Sequence, residues 1–210
     1  MEIAIVGVGR LGGTLARTFG SHGHQVMAVS SRPATDTART VAGWPGVTAV
    51  DLERVAEAEA VVLAVPHAAA AGVLDGLQLT SAQVVIDATN AFTPDAEPVT
   101  VDDPRGTTGL LAAHAGPARV VKAFNTLPAE RYVEDARERA ATAVRFGLPV
   151  ASDDVAARDE VADLAGDAGF TAVPVGDLED GARLLEPASP LYNVPLSARE
   201  LQARLAQLRG

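Results

Sequence analysis

Gly7-Val8-Gly9-Arg10-Leu11-Gly12 is a G-x-G-x-x-G. Glycines at this spacing bind phosphates when a strand leads in and a helix leads out. The first supplies a tight turn, the second lets backbone approach a pyrophosphate, and the third lets helix and strand pack closely. Both flanks have the required pattern: Glu2–Val6 is a short apolar run, and Leu11, Leu15 and Phe19 recur on one helical face before Gly20. The helix would present free N–H groups and the positive end of its dipole to the phosphates. The plainer alternative is a tight strand-to-helix turn that binds nothing.

The end of the second apolar run, Gln25–Val29, bears on which dinucleotide would fit. A carboxylate about 20 residues beyond the glycines accepts hydrogen bonds from a free ribose 2′-hydroxyl. Ser30, Ser31 and Arg32 stand there instead. Hydroxyls and a guanidinium suit a 2′-phosphate, and no carboxylate repels it, so NADP is expected rather than NAD. Arg10 and Arg39 are further candidate cations, and a solvated arginine at a strand end is the ordinary alternative for Arg32.

Three more strand ends carry polar groups: Ala64-Val65-Pro66-His67, then Asp87-Ala88-Thr89-Asn90, then Lys122-Ala123-Phe124-Asn125-Thr126. Carboxyl ends of neighbouring parallel strands border the ligand crevice of an open α/β sheet, so these residues are expected to converge. Each has a structural alternative. His67 suits a helix start. Asn90 and Asn125 suit loop backbone groups. Lys122 suits a solvated or salt-bridged strand end better than a general acid. His22 and His24 are a poor metal site without a third ligand, so no metal is expected. Asp102 and Asp103 read as a solvated loop pair.

The elements that must position these groups alternate. Val47–Val50, Ala60–Val65, Val84–Asp87, Arg119–Phe124 and Thr171–Val175 read as further strands, several continuously apolar as buried parallel strands are. Asp153–Ala168 reads as a helix, and Ser197-x-x-Glu200 is a capping box ahead of Leu201, Leu205 and Leu208. The fold class expected is α/β: a Rossmann-type, doubly wound, mainly parallel sheet with a C-terminal α/β extension. Residues 1–126 would form the NADP-binding core, and 127–210 an extension that completes the sheet and covers the crevice. Residues 91–117 break the rhythm with Pro94, Pro98, Pro104 and Pro117, and within them Thr107-Thr108-Gly109-Leu110-Leu111 could start a short helix.

Composition narrows the chemistry. The 210 residues include no cysteine, which excludes disulfides, thiolate metal sites and a cysteine nucleophile. Redox chemistry would belong to a bound cofactor. A net charge of -10 argues against general nucleic-acid binding and against a polybasic membrane patch. An anionic ligand therefore needs local positive charge. The N-terminus lacks the pattern of a signal peptide and no run suits a membrane span, so a cytoplasmic protein is expected. Of 17 basic residues only Lys122 is lysine.

GVGRLG, SSR, AVPH, DATN and above all VVKAFNT, with ARLLEP far downstream, resemble the NADPH-dependent reductases of the deazaflavin coenzyme F420. The resemblance spans most of the chain. Related domains serve membrane ferric reductases, but the soluble branch fits better. It implies NADP on the crevice, bound through Gly7, Val8, Gly9, Arg10, Leu11, Gly12, Ser30, Ser31, Arg32 and Asn90. Ala64, Val65, Pro66 and His67 would border the ribose and nicotinamide, and Ala123, Phe124 and Asn125 would shape the nicotinamide or deazaflavin site. His67 and Asn125 are the residues it sets nearest the reaction. It also implies coenzyme F420 as second substrate and a homodimer. The sequence departs from the family in Pro33–Asp36, which lacks a further basic residue, and in the 91–117 and 187–195 segments.

The function expected is hydride transfer between NADPH and coenzyme F420. The alternatives are an NADPH-dependent reductase of a flavin or a small imine, enone or carbonyl metabolite, and a non-catalytic NADP sensor.

Overall fold

The computed structural model describes residues 1–131 and 145–210. Eight strands form one sheet in the order β3-β2-β1-β4-β5-β6-β7-β8. They are β1 (Glu2–Val6), β2 (Gln25–Val29), β3 (Val47–Ala49), β4 (Ala60–Leu63), β5 (Val84–Asp87), β6 (Arg119–Lys122), β7 (Gly147–Ser152) and β8 (Thr171–Pro174). Every neighbouring pair is parallel except β6 and β7, which run antiparallel. The helices are α1 (Arg10–Ser21), α2 (Ala34–Val41), α3 (His67–Asp75), α4 (Gly106–Ala112), α5 (Val155–Asp167), α6 (Leu178–Gly181) and α7 (Ala198–Arg209). This is a Rossmann-type α/β fold.

Period-two alternation along buried strands gives the sheet two apolar faces, and each has its own core. Ile3, Ile5, Val62 and Ile86 pack with Leu15 and Phe19 of α1 and with Val161 and Leu164 of α5. Ala4, Val6, Val61 and Val85 pack on the other face with Leu74 of α3, Leu111 of α4 and Leu201 and Leu205 of α7. Helix α7 starts with the full capping box: Glu200 N–H donates to Ser197, and Ser197 N–H donates to Glu200.

The strand order reverses between β1 and β4. From β1 the chain moves outward through β2 and β3, then crosses back to β4 and proceeds through β5 and β6. The carboxyl ends on either side of that reversal are where an open α/β sheet binds its ligand.

Several strands are shorter than the sequence pattern predicts. Strand β4 ends at Leu63, and β6 ends at Lys122 because Phe124 adopts a left-handed φ of 61°. Strand β7 is not legible in the pattern, since Pro149 breaks an otherwise apolar run. The proline is tolerated because β6 pairs only with Ala151 and Ser152. The 91–117 segment contains a tight hairpin, with Phe92 bridged to Pro98, and then α4.

Candidate functional site

The glycine turn leaves β1 where the strand order reverses. Gly7 has a φ of +103°, and a Cβ there would lie 2.4 Å from the Ala64 carbonyl oxygen, so only glycine fits. A Cβ on Gly12 would fall 1.8 Å from the Gly7 carbonyl oxygen. Gly9 differs from both. It is extended, with a φ of −75°, and a Cβ would meet no protein atom within 4 Å. Neither the backbone nor a packed neighbour requires glycine at position 9. The open space before the N-terminus of α1 suits a dinucleotide pyrophosphate, as the close-approach role of this glycine demands.

Arginines surround this turn. Arg10 is exposed and meets Glu130 at 3.3 Å, a surface contact that leaves the guanidinium free to turn. Arg17 stacks on Trp44 with its guanidinium carbon 4.5 Å from the ring centre. At the end of β2, Ser31 and Arg32 are exposed, and Arg32 Nη2 donates to Thr40. Ser30 is turned inward: its hydroxyl lies 2.7 Å from that of Thr37 and accepts from the Arg32 amide. Ser30 thus shapes the turn, while Ser31 and Arg32 face outward. Arg39 pairs with Asp36.

The ends of β4, β5 and β6 form a connected polar network. Asp87 and Lys122 are direct partners in adjacent strands, both fully buried, with Nζ 3.0 Å from Oδ2. The ammonium also donates to the Thr89 carbonyl at 2.7 Å. The Asp87 carboxylate accepts from the Thr108 hydroxyl, the Thr89 hydroxyl and the Thr89 amide. Burial pushes the Asp87 carboxyl up, but Lys122 and these hydrogen bonds outweigh it and hold the group below the usual carboxylate range. Thr89 Oγ1 lies 3.0 Å from Nδ1 of His67, the first residue of α3. Burial, helped by Lys122, lowers the His67 pKa against the pull of Asp87 and Glu186, so the ring is neutral near pH 7.

A second junction lies beside the first. Asn90 Nδ2 donates to the Asn125 carbonyl, and Asn125 Nδ2 donates to Asn90 Oδ1 and to the Leu185 carbonyl. Asn125 thereby ties the ends of β5 and β6 to the ARLLEP segment. The same segment holds the loop before α4: Arg183 donates to the carbonyls of Val101, Asp103 and Pro104, and Glu186 accepts from the Thr107 hydroxyl at 2.8 Å. Asn125 Oδ1 is buried and has no hydrogen-bond partner among the described residues. Reversing the amide would set that oxygen against two acceptors, so the network fixes its orientation.

His67 and Asn90 therefore sit together at the strand ends, with Ala64, Val65 and Pro66 partly or fully exposed beside them. Ala123, Phe124 and Asn125 lie beneath this surface rather than on it. The Phe124 ring enters the core, edge-on to Phe19 with centroids 6.2 Å apart, so these three shape the crevice from behind. Asp87 and Thr89 belong to a strand end that the sequence places at the crevice, but neither they nor Thr108 and Glu186 were given a role by sequence reasoning. A signal existed for one of them: Asp87 closes an apolar strand, where a charge needs a partner, and Lys122 is the only lysine. His22, His24 and Asp102 form no such cluster, and no group of metal-ligating side chains occurs among the described residues. No helix among them is long and apolar enough to cross a membrane.

The fold, the reversal point and the open space at Gly9 define a dinucleotide-binding protein of the Rossmann type. Residues 2–91 match the family described as NADP oxidoreductase, coenzyme F420-dependent, and the chain is accordingly an NADP-dependent oxidoreductase. Similar solved structures include a hypothetical protein from Sinorhizobium meliloti, 28% identical with a TM-score of 0.83, over 94% of this chain and 95% of that one. A proposed F420-dependent NADP reductase from Arthrobacter sp. FB24 is 26% identical with a TM-score of 0.66, over 84% and 85%. A reductive aminase from Aspergillus terreus, solved with NADPH and ethyl levulinate, shares the fold at 15% identity and a TM-score of 0.62, over 87% and 57%. No curated protein matches the sequence.

Proposed function

We propose that this chain transfers hydride between NADPH and coenzyme F420. The observation that carries the dinucleotide part is Gly9, where neither backbone nor packing requires glycine and the open space lies directly before the N-terminus of α1. The match over residues 2–91 and the likeness to the Arthrobacter protein support the deazaflavin as second substrate.

NADPH supplies the hydride, and the chain's own residues bind, align and shield. Gly7, Val8, Gly9, Arg10, Leu11 and Gly12 hold the pyrophosphate. Ser31 and Arg32 take the 2′-phosphate on a turn shaped by Ser30. His67, with Ala64 to Pro66, borders the ribose and nicotinamide, and Asn90 and Asn125 keep the floor rigid. Hydride transfer between two rings needs alignment and exclusion of water more than a proton donor. The arrangement supports this, since Asp87 is sealed beneath the surface and paired, and Glu186 is engaged by Thr107.

Residues 127–210 serve in this proposal as the extension that closes the crevice over a core of 1–126. Asn125, Thr107 and the 101–104 carbonyls join the two beside the crevice, in addition to the β6–β7 pairing. The hairpin around Phe92, which is half exposed, and the 187–195 stretch would select the second ring. A homodimer belongs to the same proposal, and sedimentation would test it.

Anaerobic mixing of the protein with NADPH and oxidised coenzyme F420 should bleach the deazaflavin absorbance band at a rate proportional to protein. NADPH oxidation by a flavin, an imine, an enone or a carbonyl in place of the deazaflavin would establish the alternative acceptor. Tight NADPH binding with no oxidation by any acceptor would establish a sensor.

A further inference from the structure

The hydroxyl of Thr89 carries one proton and stands between two neighbours, Asp87 Oδ1 at 2.6 Å and His67 Nδ1 at 3.0 Å. Asp87 decides where the proton points. Its second oxygen accepts from the Lys122 ammonium at 3.0 Å and from the Thr108 hydroxyl at 2.7 Å. Its first oxygen also accepts the Thr89 amide at 2.9 Å. A carboxylate paired with an ammonium has no proton to give, so the Thr89 hydroxyl donates to it. Having donated, that hydroxyl can only accept from the imidazole. Nδ1 of His67 must therefore be the N–H, and in a neutral ring Nε2 is then a bare lone pair. Nε2 lies on the edge of the ring away from Thr89 and has no hydrogen-bond partner among the described residues. His67 is partly exposed at the carboxyl end of β4, beside the glycine turn.

We propose that Thr89 is a positioning residue that locks His67 in the Nδ1–H tautomer, so that Nε2 meets a bound dinucleotide as a hydrogen-bond acceptor for one of its hydroxyl or amide N–H groups. The acceptor role rests on the reading of the crevice as an NADP(H) site; the tautomer does not. The chain Lys122–Asp87–Thr89–His67 explains why a buried ion pair stands at this point of the sheet. It transmits a fixed charge from the interior to the tautomer of one ring at the surface.

The test is nitrogen NMR on protein labelled with 15N-histidine. The chain has four histidines, and His67 is assigned by the loss of its signals in His67→Gln. Couplings to the two carbon-bound ring protons identify each nitrogen and show which one is protonated, without any ligand. The expected result is a protonated Nδ1 in the wild-type protein and in Thr89→Ser, and a shift to the Nε2–H form in Thr89→Val. The shift should be accompanied by a roughly three- to ten-fold loss of NADPH affinity, because a donor would then face a donor. Thr89→Ser should retain wild-type affinity. A wild-type His67 protonated only on Nε2 overturns the proposal, as does a Thr89→Val protein that keeps Nδ1–H. A shifted tautomer with unchanged NADPH affinity overturns the acceptor role. Wild-type protein that binds no NADPH overturns the dinucleotide reading and the acceptor role with it, whereas the tautomer is judged on the free protein. The wild-type spectrum is decisive even if Thr89→Val does not fold.

Discussion

Asp87 and Lys122 face each other across β5 and β6 as register partners, with the ammonium nitrogen 3.0 Å from the carboxylate and neither side chain reached by water. Removing one partner leaves an uncompensated charge in the interior. Lys122→Met should therefore destabilise the protein by about 3–5 kcal/mol, a large share of a typical total of roughly 5–15 kcal/mol. Arg54→Met, which breaks an exposed pair with Glu57, should leave stability nearly unchanged. Chemical denaturation of both variants checks this, and equal losses would contradict it.

The three glycines of the turn should separate by phenotype. Gly9→Ala adds a methyl group to open space and should fold with near-normal stability while NADPH affinity falls roughly ten-fold, about 1.4 kcal/mol. Gly12→Ala drives a Cβ into the Gly7 carbonyl and should cost about 1–3 kcal/mol of stability. Thermal melts and fluorescence titration with NADPH distinguish the two. A destabilised Gly9→Ala protein with intact affinity would show the turn to be purely structural.

Much of this was legible in the sequence, for identifiable reasons. The glycine spacing, the apolar runs of β1, β4 and β5 and the capping box of α7 are local signals, and local structure follows them. Strand β7 was hidden by Pro149, whose missing N–H matters only where a neighbouring strand needs it. The polar network was legible only as strand ends expected to converge, and its pairings were hidden for a different reason. Asp87, Thr108 and Lys122 are 14 to 35 residues apart, and only strand register and the return of α4 bring them together. Phe124 illustrates the same limit: its left-handed backbone turns the ring into the core instead of the crevice.

Cofactor choice should depend on Arg32. Arg32→Ala removes an exposed guanidinium at the end of β2 and should weaken NADPH binding roughly ten- to hundred-fold, as loss of a charge-assisted hydrogen bond does. NADH binding should hardly change, since NADH has no 2′-phosphate. Parallel titrations with the two nucleotides read this directly, and equal losses would contradict the 2′-phosphate assignment.

Acid should destabilise the fold in two ranges. The pKa of His67 is lowered by folding, so its contribution is complete above the ordinary histidine value of 6.5 and is lost as pH falls below that toward the folded value. The pKa of Asp87 is lowered too, so its contribution is complete above 3.8 and is lost as pH falls further. The melting temperature of the wild-type protein should therefore drop below about pH 6.5 and again in the carboxylate range. In His67→Gln the first drop should be reduced and the second retained. An unaltered profile in that variant would show that His67 is not linked to folding.

The most direct test of hydride transfer between NADPH and coenzyme F420 is the fate of the hydrogen itself. NADPH deuterated at the transferring position of the nicotinamide should, in the presence of this protein, yield a reduced deazaflavin that carries the deuterium, as read by mass spectrometry. A reduced deazaflavin that carries only solvent hydrogen, or no reduction at all, would contradict the account.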